Sequence, residues 1–87
     1  MTRLIISCDD LGISEEINLG IQDCLEKKIA TSSSIIANGE FYKHALDNVV
    51  NQGTIKFYGL HLNLTEGQAL NNNILNVISD KNNKFNI

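Results

Sequence analysis

The feature that most constrains the fold is an alternation: three short β-favouring runs, each separated from the next by a stretch of helical period. Leu4–Cys8 is an apolar run that ends abruptly in Asp9-Asp10 and then Gly12. Ser14 follows as a good N-cap, with Glu15 and Glu16 in the first turn, where the helix dipole favours acids. Ile17, Ile21, Cys24, Leu25 and Lys28 recur at helical spacing and predict an amphipathic helix from Ser14 to Lys27. Lys27 and Lys28 suit its C-terminal end. The second run, Ala30–Ala37, is rich in small and β-branched residues and is closed by Asn38-Gly39. Glu40 opens a second helix with Phe41, Ala45, Leu46, Val49 and Val50 on one side, and Asn51-Gln52-Gly53 ends it in a turn. Thr54–Leu62 reads as the third strand, whose alternation places Ile55, Phe57, Gly59, His61 and Asn63 on one face.

Strands joined by helices of this length run parallel, with right-handed crossovers. The expected fold class is therefore α/β, a parallel β-α-β-α-β unit. In such sheets ligands bind outside the carboxyl ends of the strands. Asp9 and Asp10 lie at the end of the first strand, Ser34 to Asn38 at the end of the second, and His61 and Asn63 at the end of the third. The topology alone brings these residues to one edge.

At 87 residues the chain is one small domain at most, with a modest core. A net charge of −3 leaves no electrostatic footprint for nucleic acid. No apolar run approaches the ~20 residues of a membrane span, and the N-terminal apolar run is too short for a signal peptide. Cys8 and Cys24 show neither C-x-x-C nor zinc-finger spacing and read as two buried free thiols, which points to a reducing, cytoplasmic compartment. Residues 68–87, with Asn71-Asn72-Asn73 and Asn82-Asn83, show no helical or strand pattern and read as a loop or poorly ordered segment.

Two adjacent carboxylates repel one another and cost desolvation if buried, and a divalent cation is the usual compensation. Aspartate and imidazole suit Mg²⁺, Mn²⁺ or Zn²⁺. One aspartate can hold the metal while its neighbour serves as general base. The plainer alternative is that Asp9 or Asp10 caps the turn before the helix. His61 alone is weak, since a histidine in an apolar strand is often a satisfied core residue; its predicted position on the edge of the acid pair raises it. His44, beside Lys43 mid-helix, reads as a surface residue. Asn63, Thr65 and Glu66 read equally as supporting groups, substrate groups or turn formers. Ser32-Ser33-Ser34 lacks a G-x-S-x-G elbow and is not a nucleophile site.

Three stretches, ISCDDLGISEEINLGI, TSSSIIANG and GLHLNLTEGQAL, resemble the YdjC-like carbohydrate deacetylases, a family that includes chitooligosaccharide deacetylases. The resemblance runs from Leu4 to Phe85. It implies a (β/α) barrel-like fold, of which this chain is the N-terminal third, and hydrolysis of the acetamide of N-acetylated sugars with a divalent metal ion, Mg²⁺ or Zn²⁺. By the same resemblance Asp10 and His61 are metal ligands and Asp9 is the general base. The family's further metal histidine has no match here, and His44 does not replace it. A closed barrel takes about 250 residues, so the resemblance makes residues 1–87 a single partial domain. The chain is then a fragment, a truncated reading frame or a chain that associates with others, for example as a homo-oligomer, and it is expected to be inactive alone. The runner-up functions are a receiver-like Mg²⁺-binding signalling domain, which also places an acid pair after its first strand, and a non-catalytic remnant offering its open sheet edge to a partner.

Overall fold

The computed structural model describes residues 2–70 and Lys84. The expected alternation is present: β1 (Ser7–Leu11), α1 (Glu15–Glu26), β2 (Ser32–Ile35), α2 (Tyr42–Asn48), a 3₁₀ turn (Val50–Gln52) and β3 (Tyr58–Leu60). The strands form one parallel sheet in the order β1-β2-β3. Consecutive order with both helices on one face is what successive right-handed crossovers produce when the chain always winds the same way. A receiver-like domain needs a doubly wound sheet, in which the strand order reverses and helices cover both faces. In that order β1 lies between β2 and β3, whereas here β2 is the central strand, so the signalling reading is not favoured.

Local sequence accounts for α1 closely. The Ser14 Oγ accepts from the Ile17 amide at 3.2 Å and caps the helix. The buried stripe is Asn18, Ile21, Gln22 and Leu25, rotated from the expected one, and Ile17 stays partly exposed. Lys28, expected on the inner face, instead adopts a left-handed φ of 58° and ends the helix. Lys27 pairs with Asp23 at 3.0 Å on the exposed surface. The second helix is shorter than expected, and Gly53 (φ 71°) ends the 3₁₀ turn that follows it.

The strands are shorter than their sequence patterns, and β1 is displaced. The expected strand Leu4–Cys8 is found at Ser7–Leu11. Only residues with a partner on β2 join the ladder, and β2 begins at Ser32, opposite Ser7. Leu4 and Ile5 precede that register and are 72% and 81% exposed, so this run is not the buried strand its composition suggests. Likewise β3 extends only where Ser33, Ser34 and Ile35 face Tyr58, Gly59 and Leu60. Thr54 is off the ladder and accepts from the Gln22 side chain of α1 at 3.0 Å. Ile55 and Tyr58 pack on the core while Phe57 is exposed, so Ile55 and Phe57 do not share a face.

The core lies between the sheet and the helices: Leu11, Ile21, Leu25, Ala30, Ala45 and Val49, flanked by Cys8, Cys24, Ile35, Val50, Ile55 and Tyr58. Cys8 and Cys24 are free and half-buried rather than fully buried. Burial raises the Cys8 thiol above its usual range, and the neighbouring Cys24 thiol reinforces the shift. Most of the expected segment 68–87 lies outside the described residues; Gln68 and Lys84 form an isolated antiparallel bridge. Among the described residues no helix is long and apolar enough to cross a membrane.

Candidate metal centre

The acid pair owes its position to a β-bulge. In a regular strand side chains alternate, so Asp10 would share the inner face of Cys8 and Leu11 would point away from the core. The register instead slips between Cys8 and Leu11, and Asp10 takes a left-handed φ of 70°. The extra residue restores Leu11 to the core, where it is fully buried, and leaves both Asp9 and Asp10 exposed at the rim. Neither carboxylate then bears the cost of burial. The sequence places the acids after β1; the structure places them within its bulged final turn.

His61 arrives from the other edge of the sheet. Its backbone amide donates to the Ile35 carbonyl at 2.9 Å, extending the β2-β3 pairing by one residue. Its Nδ1 accepts from the Asp10 amide at 3.3 Å and lies 3.4 Å from Asp10 Oδ1. These two contacts belong to different protonation states. A lone pair on Nδ1 takes the amide hydrogen, whereas a proton on Nδ1 is given to the carboxylate. His61 is therefore a rim residue facing an acid, not a satisfied core histidine, and its side chain is 32% exposed.

Asp9 is engaged separately, with the Ser34 hydroxyl donating to its Oδ1 at 3.3 Å. Residues from the ends of all three strands thus meet at one edge, as the topology requires. Among the described residues no group of three His, Cys, Asp or Glu side chains converges to hold a metal ion. What converges is a pair, Asp10 Oδ1 and His61 Nδ1 at 3.4 Å, an oxygen and a nitrogen of the kind divalent cations take. The Nδ1 lone pair that a cation would take is the one that accepts the Asp10 amide.

The family described as YdjC-like protein matches residues 3–86. The chain belongs to the YdjC-like family. It is similar to a protein named carbohydrate deacetylase from Clostridium beijerinckii, 37% identical over 93% of this chain and 33% of that protein. It also resembles carbohydrate deacetylase 2 of Listeria innocua, 39% identical over 80% of this chain and 28% of that protein, and a chitooligosaccharide deacetylase of Proteus mirabilis, 37% identical over 77% and 26%. This YdjC-like chain spans about a quarter to a third of the length of the relatives it matches. No solved structure gives a significant match.

The remaining polar residues of the YdjC-like chain separate into roles that its sequence left open. Asn63 is a turn former: its Oδ1 accepts from the Thr65 and Glu66 amides at 3.2 and 2.9 Å, and its Nδ2 donates to the Glu66 carbonyl at 2.7 Å. Asn63 Nδ2 also reaches Asn38 Oδ1 at 3.0 Å, and Asn38 Nδ2 donates to the Gln68 carbonyl at 2.8 Å. These two asparagines fix the loop after β3 against the end of β2, beside a cleft of about 450 Å³ lined by Asn38, Glu40, Gly67, Gln68 and Lys84. His44 is not a surface residue; it is half-buried, with Nδ1 accepting from Asn18 Nδ2 at 3.1 Å. Asn18 entered the sequence reading only as part of the family-like stretch ISEEINLGI, with no role, although it lies on the stripe of Ile21, Gln22 and Leu25 at helical spacing.

Proposed function

We propose that this chain carries part of the active site of a metal-dependent carbohydrate deacetylase, with Asp10 and His61 as metal ligands and Asp9 as general base. The observation that supports it is the meeting of Asp10 and His61, 51 positions apart in sequence, at the exposed carboxyl edge of a parallel sheet. Asp10 and His61 would hold a divalent cation, Mg²⁺ or Zn²⁺, whose chemistry there would be Lewis acidity toward the acetamide carbonyl and a lowered pKa of bound water. Asp10 contributes the anionic oxygen that such a cation prefers, and His61 the nitrogen that biases the pair toward Zn²⁺.

Asp9 stays outside the ligand pair. Ser34 donates to its Oδ1, which orients the carboxylate and leaves the second oxygen to take a proton from the attacking water. The substrate class is an N-acetylated oligosaccharide. The names of the relatives support this reading.

A chimera tests the reading. The matching segment of the Clostridium beijerinckii deacetylase is replaced by this chain, and acetate release from N,N′-diacetylchitobiose is measured with Zn²⁺ or Mg²⁺. Activity in the chimera, with a loss of at least about 100-fold in Asp9→Asn, Asp10→Asn and His61→Ala, is expected. A folded, active chimera indifferent to all three substitutions would refute the assignment.

A further inference from the structure

Asn18 has no exposed surface, yet it stands on the inner stripe of α1 where an apolar side chain would serve the core. Burying an amide is unfavourable unless its polar atoms are paired, and here they are. Oδ1 accepts from the Gly12 amide at 2.7 Å, while Nδ2 donates to the Phe41 carbonyl at 3.2 Å and to His44 Nδ1 at 3.1 Å. The partners fix the orientation of the group: only its oxygen can take an N–H and only its nitrogen can serve a carbonyl. His44 accepts at Nδ1, so its own proton sits on Nε2.

The Gly12 peptide is held from the other side as well. Its carbonyl accepts from the Phe41 amide at 2.9 Å. The turn that follows β1 is therefore clamped between α1 and the start of α2. Two residues upstream, Asp10 adopts φ 70°, a conformation that a non-glycine residue keeps only where its surroundings over-determine it. That conformation sets the Asp10 amide and carboxylate against His61 Nδ1.

We propose that Asn18 is the positioning residue for Asp10. Anchored by α2, its amide pins Gly12, and the pinned turn holds Asp10 left-handed with its carboxylate beside His61. The functional meaning rests on Asp10 and His61 being metal ligands; the geometric statement does not. Partners that bond a ligand directly are worth about 10- to 100-fold in metal affinity; Asn18 acts one step further out, through the Gly12 peptide, so the lower end of that range is expected.

The experiment uses the 87-residue chain with Zn²⁺ as the probe. NMR follows the Asp10 α-carbon shift and the contact between the Asp10 amide and the His61 ring, and calorimetry follows Zn²⁺ binding. Leu25→Ala serves as a variant that weakens the core without touching the turn. Asn18→Ala is expected to lose the left-handed Asp10 signature and the His61 contact, and to bind Zn²⁺ about 10-fold more weakly, whereas Leu25→Ala keeps all three. Should Asn18→Ala not fold, hydrogen exchange in the unaltered chain decides: the Gly12 amide is expected to be as protected as the core amides of α1, and exchange at the rate of an open turn overturns the proposal. Retention of the Asp10–His61 contact in Asn18→Ala, or its equal loss in Leu25→Ala, overturns it too. An unaltered chain that binds no Zn²⁺ while Asn18→Ala still loses the contact refutes the ligand reading and upholds the positioning role.

Discussion

Replacing Gly39 by alanine drives a methyl group into the backbone of the turn that follows β1. A β-carbon at that position overlaps the Gly12 carbonyl oxygen, and lies 2.7 Å from the Gly12 carbonyl carbon and 3.1 Å from the Ile36 carbonyl oxygen. None of these atoms is the end of a flexible side chain, so two backbone segments must separate. Overpacking of this kind costs about 1–3 kcal/mol. Separation also breaks the hydrogen bond from the Phe41 amide to the Gly12 carbonyl, a net loss of about 0.5–1.5 kcal/mol. The expected destabilisation is therefore about 2–4 kcal/mol, a large part of the stability of a small domain. At about 4–8 °C per kcal/mol for a chain of this size, Tm falls by at least about 8 °C. The same substitution at Gly20 has the opposite sign. Gly20 lies within α1 with nothing within 4 Å of its β-carbon position, and alanine there gains about 0.5–1 kcal/mol through helix propensity. Urea unfolding followed by circular dichroism measures both. A Gly39→Ala variant within about 0.5 kcal/mol of the unaltered chain would refute the close approach of the two segments.

Ser14→Ala removes the cap of α1 and is expected to lower stability by about 1 kcal/mol, read as a lower urea midpoint; an unchanged midpoint would show that the 3.2 Å bond to Ile17 contributes nothing. Stability is also expected to fall in alkali. Burial raises the Cys8 thiol above 9.0 and the Tyr58 phenol above 10.0, so the folded chain holds both protons more tightly than the unfolded chain. Their contribution is complete below those ordinary values and is lost as pH rises through the higher folded ones. A urea midpoint that rises between neutral pH and about pH 10 would contradict this, and Cys8→Ala is expected to flatten the earlier part of the decline.

The sequence by itself determined the order of elements, their parallel arrangement, the start of α1 at Ser14 and the end of the second helical segment at Gly53. These follow from short-range chemistry: helical period, capping and the length of the crossovers. It also delivered Asp9, Asp10 and His61 to one edge, because parallel strands present their carboxyl ends together whatever their side chains are. Tertiary contact decided the rest. Leu4 and Ile5 are apolar enough for a strand, but a strand begins where a neighbour pairs with it; the ladder opens at Ser7 and Ser32, with the Ile6 carbonyl accepting from the Thr31 and Ser32 amides just before it. The bulge at Asp10 satisfies two demands at once, Leu11 inward and both carboxylates outward, and no local period encodes such a compromise. Asn18 lay on the buried stripe of α1, but its polarity hid it. An asparagine is stable there only because the Gly12 amide, the Phe41 carbonyl and His44, brought in by the fold, satisfy every polar atom it buries.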